Sequence, residues 1–374
     1  MFDHNHYVPV LKWRMGEYQA LMRLGELVKD WVTPLFEIPT EGWNFETEAP
    51  LRSLDDHLAG FGEKLFSKWG ARTCFIDSPY LDGASVLSTG VHHMQHIFLQ
   101  ARQAGCSAIP VIGLQRHPAY LAAVQFIVGW TQNGVCVRLE RDDFGPGLQS
   151  TLQSLIQALA IPVRYVDLVI DLEASIAEVL PIQVSTWSTC LSQISATPWR
   201  TLTLVGTSFP AALGADQYRP HGRTPRSEWL AYKELVRQLA VSARKPTFGD
   251  YATSSPNTGE LDPRMVDPNA KIKYTLSDEW IVHVGTQVKR FGRGQYQAMC
   301  QGIINASPSY FPGPGYSWGD AYIHGCALGS EGNGWLVYLA LRCYKSPCYE
   351  GCSGRRQFSR DFSASLIFRR TSPG

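Results

Sequence analysis

The chain has 374 residues, 44% of them hydrophobic and 18% charged, with a formal net charge of +1. That composition fits a globular protein with a substantial core and gives no overall electrostatic case for nucleic acid. No uncharged apolar run approaches the roughly 18–20 residues of a membrane span. The start, MFDHNHYVPVLKW, has neither the basic region nor the long apolar stretch of a secretory leader, so a cytoplasmic protein is expected. Nine cysteines are scattered along the chain; Cys74, Cys106, Cys136 and Cys190 sit in or near apolar segments and read as reduced core thiols.

Short apolar runs alternate with helix-like stretches. YVPVLK reads as the first strand, ending at Lys12, and an amphipathic helix follows over 16–29. TPLFEIP carries Glu37, and a helical region over 51–69 leads to TCFIDSPYL with Asp77. A histidine-rich helix over 91–104 precedes AIPVIGLQ, which ends near Gln115. A helix over 119–132 stops at Asn133-Gly134, and VCVRLER holds Arg138 and Glu140. A helix over 148–159 leads to VDLVIDLEAS with Asp171, and a helix over 181–194 to RTLTLVGTSFP, reaching Ser208. A helix over 228–241 precedes PTFGDY, with Asp250 and Tyr251.

Strands alternating with helices imply parallel strands joined by crossovers. Eight such units, about 250 residues in all, predict an α/β fold of the (β/α)8 TIM-barrel type over residues 1–255. A doubly wound open sheet is the competitor. The count of eight argues for the barrel, as does the lack of a Gly-rich dinucleotide fingerprint after the first strand. The barrel also explains why strands with aliphatic middles end on polar residues. Their middles are covered on both faces, while their C-terminal ends form the face on which barrel sites are built.

Past Tyr251 the texture changes. A β-rich C-terminal extension is expected over 256–334, packing at the barrel mouth. KIKYTL and WIVHVGT form a hairpin around Ser277-Asp278, a helix covers 293–304, and SPSYFPGPGYSWGD is a loop. The last segment, 335–374, carries seven Lys or Arg against two acids, a net +5 that leaves −4 for the rest. It reads as a solvated, disordered or diverged tail, and contact with nucleic acid is expected only there, if anywhere.

Six strand-end residues suggest one mixed-charge cleft. Glu37, Asp77, Asp171 and Asp250 are the candidate catalytic carboxylates, because close carboxylates can divide acid and base roles. Lys12 and Arg138 are candidate ligand-binding cations, suited to a phosphate-bearing or nucleotide-like molecule. Lys273 and Tyr274, on the hairpin, are candidates to roof the cleft. The competing reading is a structural ion-pair ring. SWGDAYIHG, with Trp318, Asp320 and His324, reads as a structural loop. His92, His93 and His96 lack a metalloenzyme signature and read as a surface helix. Cys326, Cys343, Cys348 and Cys352 lack zinc-site spacing. No metal is assigned and no cofactor is identified.

YVPVLKWRMGEYQAL followed by TPLFEIP resembles the opening of the phage "beta protein" family, as do FIDSPYL, VIDLEAS, FGDYA, KIKYT and SWGDAYI further on. The resemblance covers residues 7 to about 330. It implies a protein of phages, prophages or satellite phages that prevents the phage killer protein Gop from killing the host, within a cassette linked to anti-phage defence. A toxic, Gop-like partner protein is therefore expected, and an antitoxin or immunity role. The alternative from the residues is a barrel enzyme acting on a phosphate-bearing or nucleotide-like small molecule. After SWGD the family continues with a Trp-Arg stretch and a histidine pair. GNGWLVYLALRCYKSPCYEGCSGRR stands here instead, so no role of those histidines carries over.

Overall fold

A computed structural model describes residues 2–173, 180–210, 221–256 and 267–332. The tail expected over 335–374, with Cys343, Cys348 and Cys352, lies outside the described residues. Eight parallel strands form a closed barrel: Tyr7–Lys12, Leu35–Glu37, Thr73–Asp77, Ser107–Ile112, Val135–Glu140, Val166–Asp171, Thr201–Val205 and Thr247–Asp250. Seven neighbouring pairs follow chain order. The eighth closes the ring, with Tyr7–Lys12 set between Leu35–Glu37 and Thr247–Asp250. These are the eight apolar runs of the sequence. Most are short and aliphatic because both faces of a parallel strand are covered; Thr247–Asp250, TFGD, is buried without an aliphatic side chain.

The alternation of side chains along each strand decides what enters the barrel. Val8, Val10, Leu35, Phe75, Ile109, Val111, Cys136, Val169, Val205 and Tyr251 form one buried cluster. Continuing the same parity to the strand ends brings Lys12, Glu37, Asp77, Arg138 and Asp171 into line with it. The register sets Lys12 beside Glu37 and Glu37 beside Asp77 on three adjacent strands. Asp171 is level with Glu140, so Arg138 starts two residues deeper and needs its full length to reach the rim.

The helices between strands follow the expected ones, with two breaks. The 16–29 stretch divides into Met15–Met22 and Glu26–Lys29, with Gly25 capping the second. The 51–69 stretch divides into Leu54–Leu58 and Phe61–Trp69 at Gly60, whose φ of 64° suits a residue without a Cβ.

By compactness the chain forms two units, and the division is not a single boundary near 255. Among the described residues, the first comprises those within 2–173, 180–207 and 228–251 other than 14–30; the second takes 14–30, 208–210, 221–227, 252–256 and 267–332. In the second, Asn269–Thr275 and Glu279–Gln287 form the expected hairpin, and His221–Pro225 adds antiparallel to it. Ala270, Ile272 and Tyr274 point from one face of the sheet into a core with Tyr296, Cys300, Ile303, Ile323 and Cys326 of the helices Gln295–Ile304 and Trp318–Leu328.

The expected SWGD loop is instead the start of that last helix. Ser317 caps it: its Oγ accepts from the Asp320 backbone N–H at 3.1 Å and donates to the Asp320 carboxylate at 2.7 Å. No described helix is long and apolar enough to cross a membrane.

Candidate functional site

Arg138 is the centre of the barrel's C-terminal end. Its Nε and Nη2 donate to Asp171 Oδ2 at 2.9 and 2.6 Å, and its Nη1 donates to Asp77 Oδ2 at 2.9 Å. Nη2 also meets Glu37 Oε1 at 2.8 Å and the Tyr251 hydroxyl at 2.7 Å. One guanidinium thus joins carboxylates from three other strands. Its planar fork of donors makes this possible where a lysine could not do it.

The surroundings supply the remaining partners. Arg116 Nη2 donates to both oxygens of Asp77, at 2.8 and 2.9 Å. Tyr251 donates to Asp171 at 2.6 Å, Tyr80 to Glu37 at 2.9 Å and Tyr120 to Asp77 at 3.3 Å. The backbone N–H of Glu173 donates to the second oxygen of Asp171. Lys12 lies over the Tyr80 ring, 5.1 Å from its centroid. Glu37, Asp77 and Asp171 are at most 1% exposed, and Arg138 only 3%. Charges buried this deeply persist only when paired and hydrogen-bonded, and the three carboxylates here meet the guanidinium groups of Arg116 and Arg138.

The titration behaviour follows from the same packing. Burial alone would lower Arg138, but Tyr251, Asp171, Glu37 and Asp77 outweigh it and hold the guanidinium well above its usual value. Burial pushes the Tyr251 phenol up, and Asp171 and Glu37 add to that, so it stays a neutral donor. Two carboxyls at the rim differ from the ring. Glu140 and Glu173 are both raised, first by desolvation, with Asp171 adding to the shift. Glu173 also holds a left-handed backbone, φ 46°, two residues past the strand end.

Five of the eight sequence candidates come together in this unit: Lys12, Glu37, Asp77, Arg138 and Asp171. Asp250 does not join Arg138. It lies one residue before Tyr251, so strand parity turns it away from the barrel interior, and it accepts a bond from Tyr7 at 2.5 Å. Tyr251 takes the place expected for Asp250.

Lys273 and Tyr274 belong to the second unit and point to opposite faces of its sheet. Lys273 Nζ donates to the Thr253 carbonyl at 2.6 Å and sits over Phe209, while Tyr274 donates to Asp320 at 2.7 Å inside the core. Adjacent strand residues cannot both roof one cleft.

The sequence reading missed Arg116, Tyr80, Tyr120 and Tyr251. The first two sit in loops just past strands, where no periodicity marks them. His92 and His93 are buried rather than on a surface helix: His92 caps the helix His93–Gln103, and His93 Nε2 meets the Ser78 hydroxyl at 2.8 Å. Among the described residues no group of three or more His, Cys, Asp or Glu is placed to hold a metal ion. A groove of about 450 Å³ lies apart from the ring, lined by Leu180, Val184, Ser188, Glu234 and Gln238 of two outer helices.

A family profile described as "Beta protein" matches residues 7–335, most of the chain. The chain belongs to the Beta protein family. The residues matched include every member of the Arg138 ring, and the family is phage-associated. No curated protein matches. Among solved structures, this Beta protein is similar to an alanine racemase of Clostridium difficile 630 in complex with cycloserine, with 10% identity and a TM-score of 0.31. The likeness covers 74% of the Beta protein chain and 60% of the racemase, under two thirds of that chain's length.

Proposed function

We propose that this Beta protein is an immunity component of an anti-phage cassette and protects the host by binding a toxic, Gop-like partner protein. In this reading the barrel is a rigid scaffold and the Arg138 ring is part of its construction. The observation that carries it is the use of the strand-end carboxylates. The side chains of Asp77, Asp171 and Glu37 are spent on Arg138, Arg116 and tyrosines rather than held towards a ligand.

The test is growth of cells expressing the toxic neighbour gene together with this chain. Growth is expected to be restored, and to be restored equally by Glu140→Gln and Glu173→Gln. Growth that stays blocked at high expression of a folded wild-type chain refutes the reading.

A second reading is supported by Glu140 and Glu173. Carboxyls with raised pKa at a barrel rim, Glu173 half-buried and Glu140 exposed, are the kind of group that serves as a general acid. An enzyme acting on a phosphate-bearing or nucleotide-like molecule would draw on them, with Arg116 and Lys12 nearby. Loss of protection in the Glu140→Gln or Glu173→Gln chain, with folding intact, would favour this reading over the first.

A further inference from the structure

We propose that two copies of this chain associate through one outer face of the barrel, built from the helices Pro118–Thr131, Leu148–Ala158 and Leu180–Ile194. These helices follow three successive strands, Ser107–Ile112, Val135–Glu140 and Val166–Asp171, which pair side by side. Side chains also join them. Gln125 Nε2 donates to the Ala158 carbonyl at 2.8 Å, and Gln149 Nε2 donates to the Gln193 carbonyl.

The face carries no charge. The three helices have 14, 11 and 15 residues, and none of these is Asp, Glu, Lys, Arg or His. At the chain's 18% charged residues, about seven would be expected there. Other outer helices of the barrel follow the usual pattern: Phe61–Trp69 has Glu63, Lys64 and Lys68, and Ser227–Gln238 has Glu228, Lys233, Glu234 and Arg237. Charge returns at the borders, with Arg141, Asp142 and Asp143 at one end of the face and Arg164 and Arg200 at the other. A centre depleted of charge inside a charged rim is the composition of a buried interface.

The face is also suited to losing its water. Phe126 and Ile182 are 58% and 50% exposed, and Phe126 stacks on Trp130. Hydroxyls of the second and third helices are already bonded to their own backbone. Ser150 and Thr151 donate to the Gly147 carbonyl, Thr186 to Ile182, Thr189 to Ser185 and Ser192 to Thr189, all at 2.7 to 3.1 Å. Burying such groups strands few donors, which removes much of the usual cost of drying a polar surface.

A second copy fits this face better than a partner of another kind. In a twofold contact the same patch lies on both sides, so a charge near the axis meets its own sign. A neutral centre removes that repulsion, and the chain's net charge of +1 adds little. A different partner is selected through opposite charges, which this face does not offer. The size agrees as well. Three helices about 20 Å long, set about 10 Å apart, cover roughly 600 Å² in projection, comparable with the about 800 Å² per partner of a standard interface.

The test is sedimentation equilibrium of the purified full chain across micromolar concentrations, where a dimer is expected. Ser154→Arg, on the exposed side of the middle helix, and Phe126→Glu each put like charges on both copies. Each should weaken association about a hundredfold while keeping the circular dichroism of the wild type. Lys64→Glu, on a charged helix outside the face, should leave the dimer intact. If Phe126→Glu does not fold, Ser154→Arg decides. Three results overturn the proposal: a wild-type chain that is monomeric throughout, a dimer that Ser154→Arg leaves unchanged, or a monomeric chain that binds the toxic partner and loses that binding in the same variants. A monomeric chain that still restores growth would overturn the dimer and leave the protective role in place, so the two readings fail separately.

Discussion

Replacing Arg138 by methionine keeps an unbranched apolar stem and removes all of its donors. Asp171 would lose two bonds, Asp77 one, and Glu37 its ion pair, while Asp77 and Asp171 stay fully buried. Removing one partner of a buried ion pair typically costs about 3–5 kcal/mol. Here three carboxylates share the cation, and Arg116 still holds Asp77, so the expected loss at pH 7 is near the top of that range, about 4–5 kcal/mol. That is a large fraction of a domain stability of about 5–15 kcal/mol.

The pH dependence gives a sharper signature. Without Arg138, burial raises the stranded carboxyls above their unfolded values. A carboxyl raised in the folded state contributes stability below its unfolded pKa and loses it as pH rises through the folded one. The variant should therefore regain part of its deficit relative to wild type as pH falls from 7 towards 5. Urea unfolding of both proteins at the two pH values, followed by circular dichroism, measures this. Adding Asp171→Asn should restore about 1–2 kcal/mol, because one stranded charge is gone. A deficit under about 1 kcal/mol at pH 7, or one that does not change with pH, would refute the view that Arg138 neutralises a buried carboxylate ring.

Other outcomes follow from single contacts. Tyr251→Phe removes the donor to Asp171 and the acceptor for Arg138, and should cost about 1–3 kcal/mol in the same assay. Burial lowers His93 and His283 from 6.5 to about 4, so each favours folding while neutral. Being depressed in the folded state, each contributes up to about 3 kcal/mol above pH 6.5 that is lost as pH falls towards 4, visible as acid unfolding in that window. Gly249→Ala would place a Cβ 2.5 Å from the Val8 carbonyl and 2.7 Å from Val205, where barrel strands meet. Overpacking of this kind costs about 1–3 kcal/mol, read as a lower urea midpoint. Ser317→Ala removes a helix cap and should cost about 1 kcal/mol, seen as faster hydrogen exchange in Trp318–Leu328.

The barrel was legible in the sequence because parallel strands buried on both faces leave continuous aliphatic runs, and all eight were there to count. Five site residues were legible because polar ends of such runs gather at one face. Asp250 was misplaced because proximity to a strand end does not give parity; counting inward positions back from Asp250 and Tyr251 would have chosen Tyr251. Arg116 and Tyr80 escaped because loops carry no period. His221–Pro225 escaped for another reason: HGRTP has no β-forming pattern, and its pairing with Glu279–Gln287 comes from tertiary contact. The Ser317–Asp320 cap was readable as a Ser-x-x-Asp signature, but the glycine between them was taken as a turn.

The first strand of the barrel has a partner that is made very late. Tyr7 and Asp250 are 243 residues apart, and the Tyr7–Lys12 strand pairs along one edge with Thr247–Asp250. At synthesis rates of about 5–20 residues per second, that edge emerges from the ribosome and waits on the order of tens of seconds for its neighbour. During that interval the nascent chain carries an open sheet edge and the unsealed Arg138 ring, since Asp171 and Tyr251 have also still to arrive. An unpaired strand edge of this kind is prone to pairing with another chain until its own neighbour arrives. Closure of the barrel therefore lags the synthesis of its first strand by at least that delay.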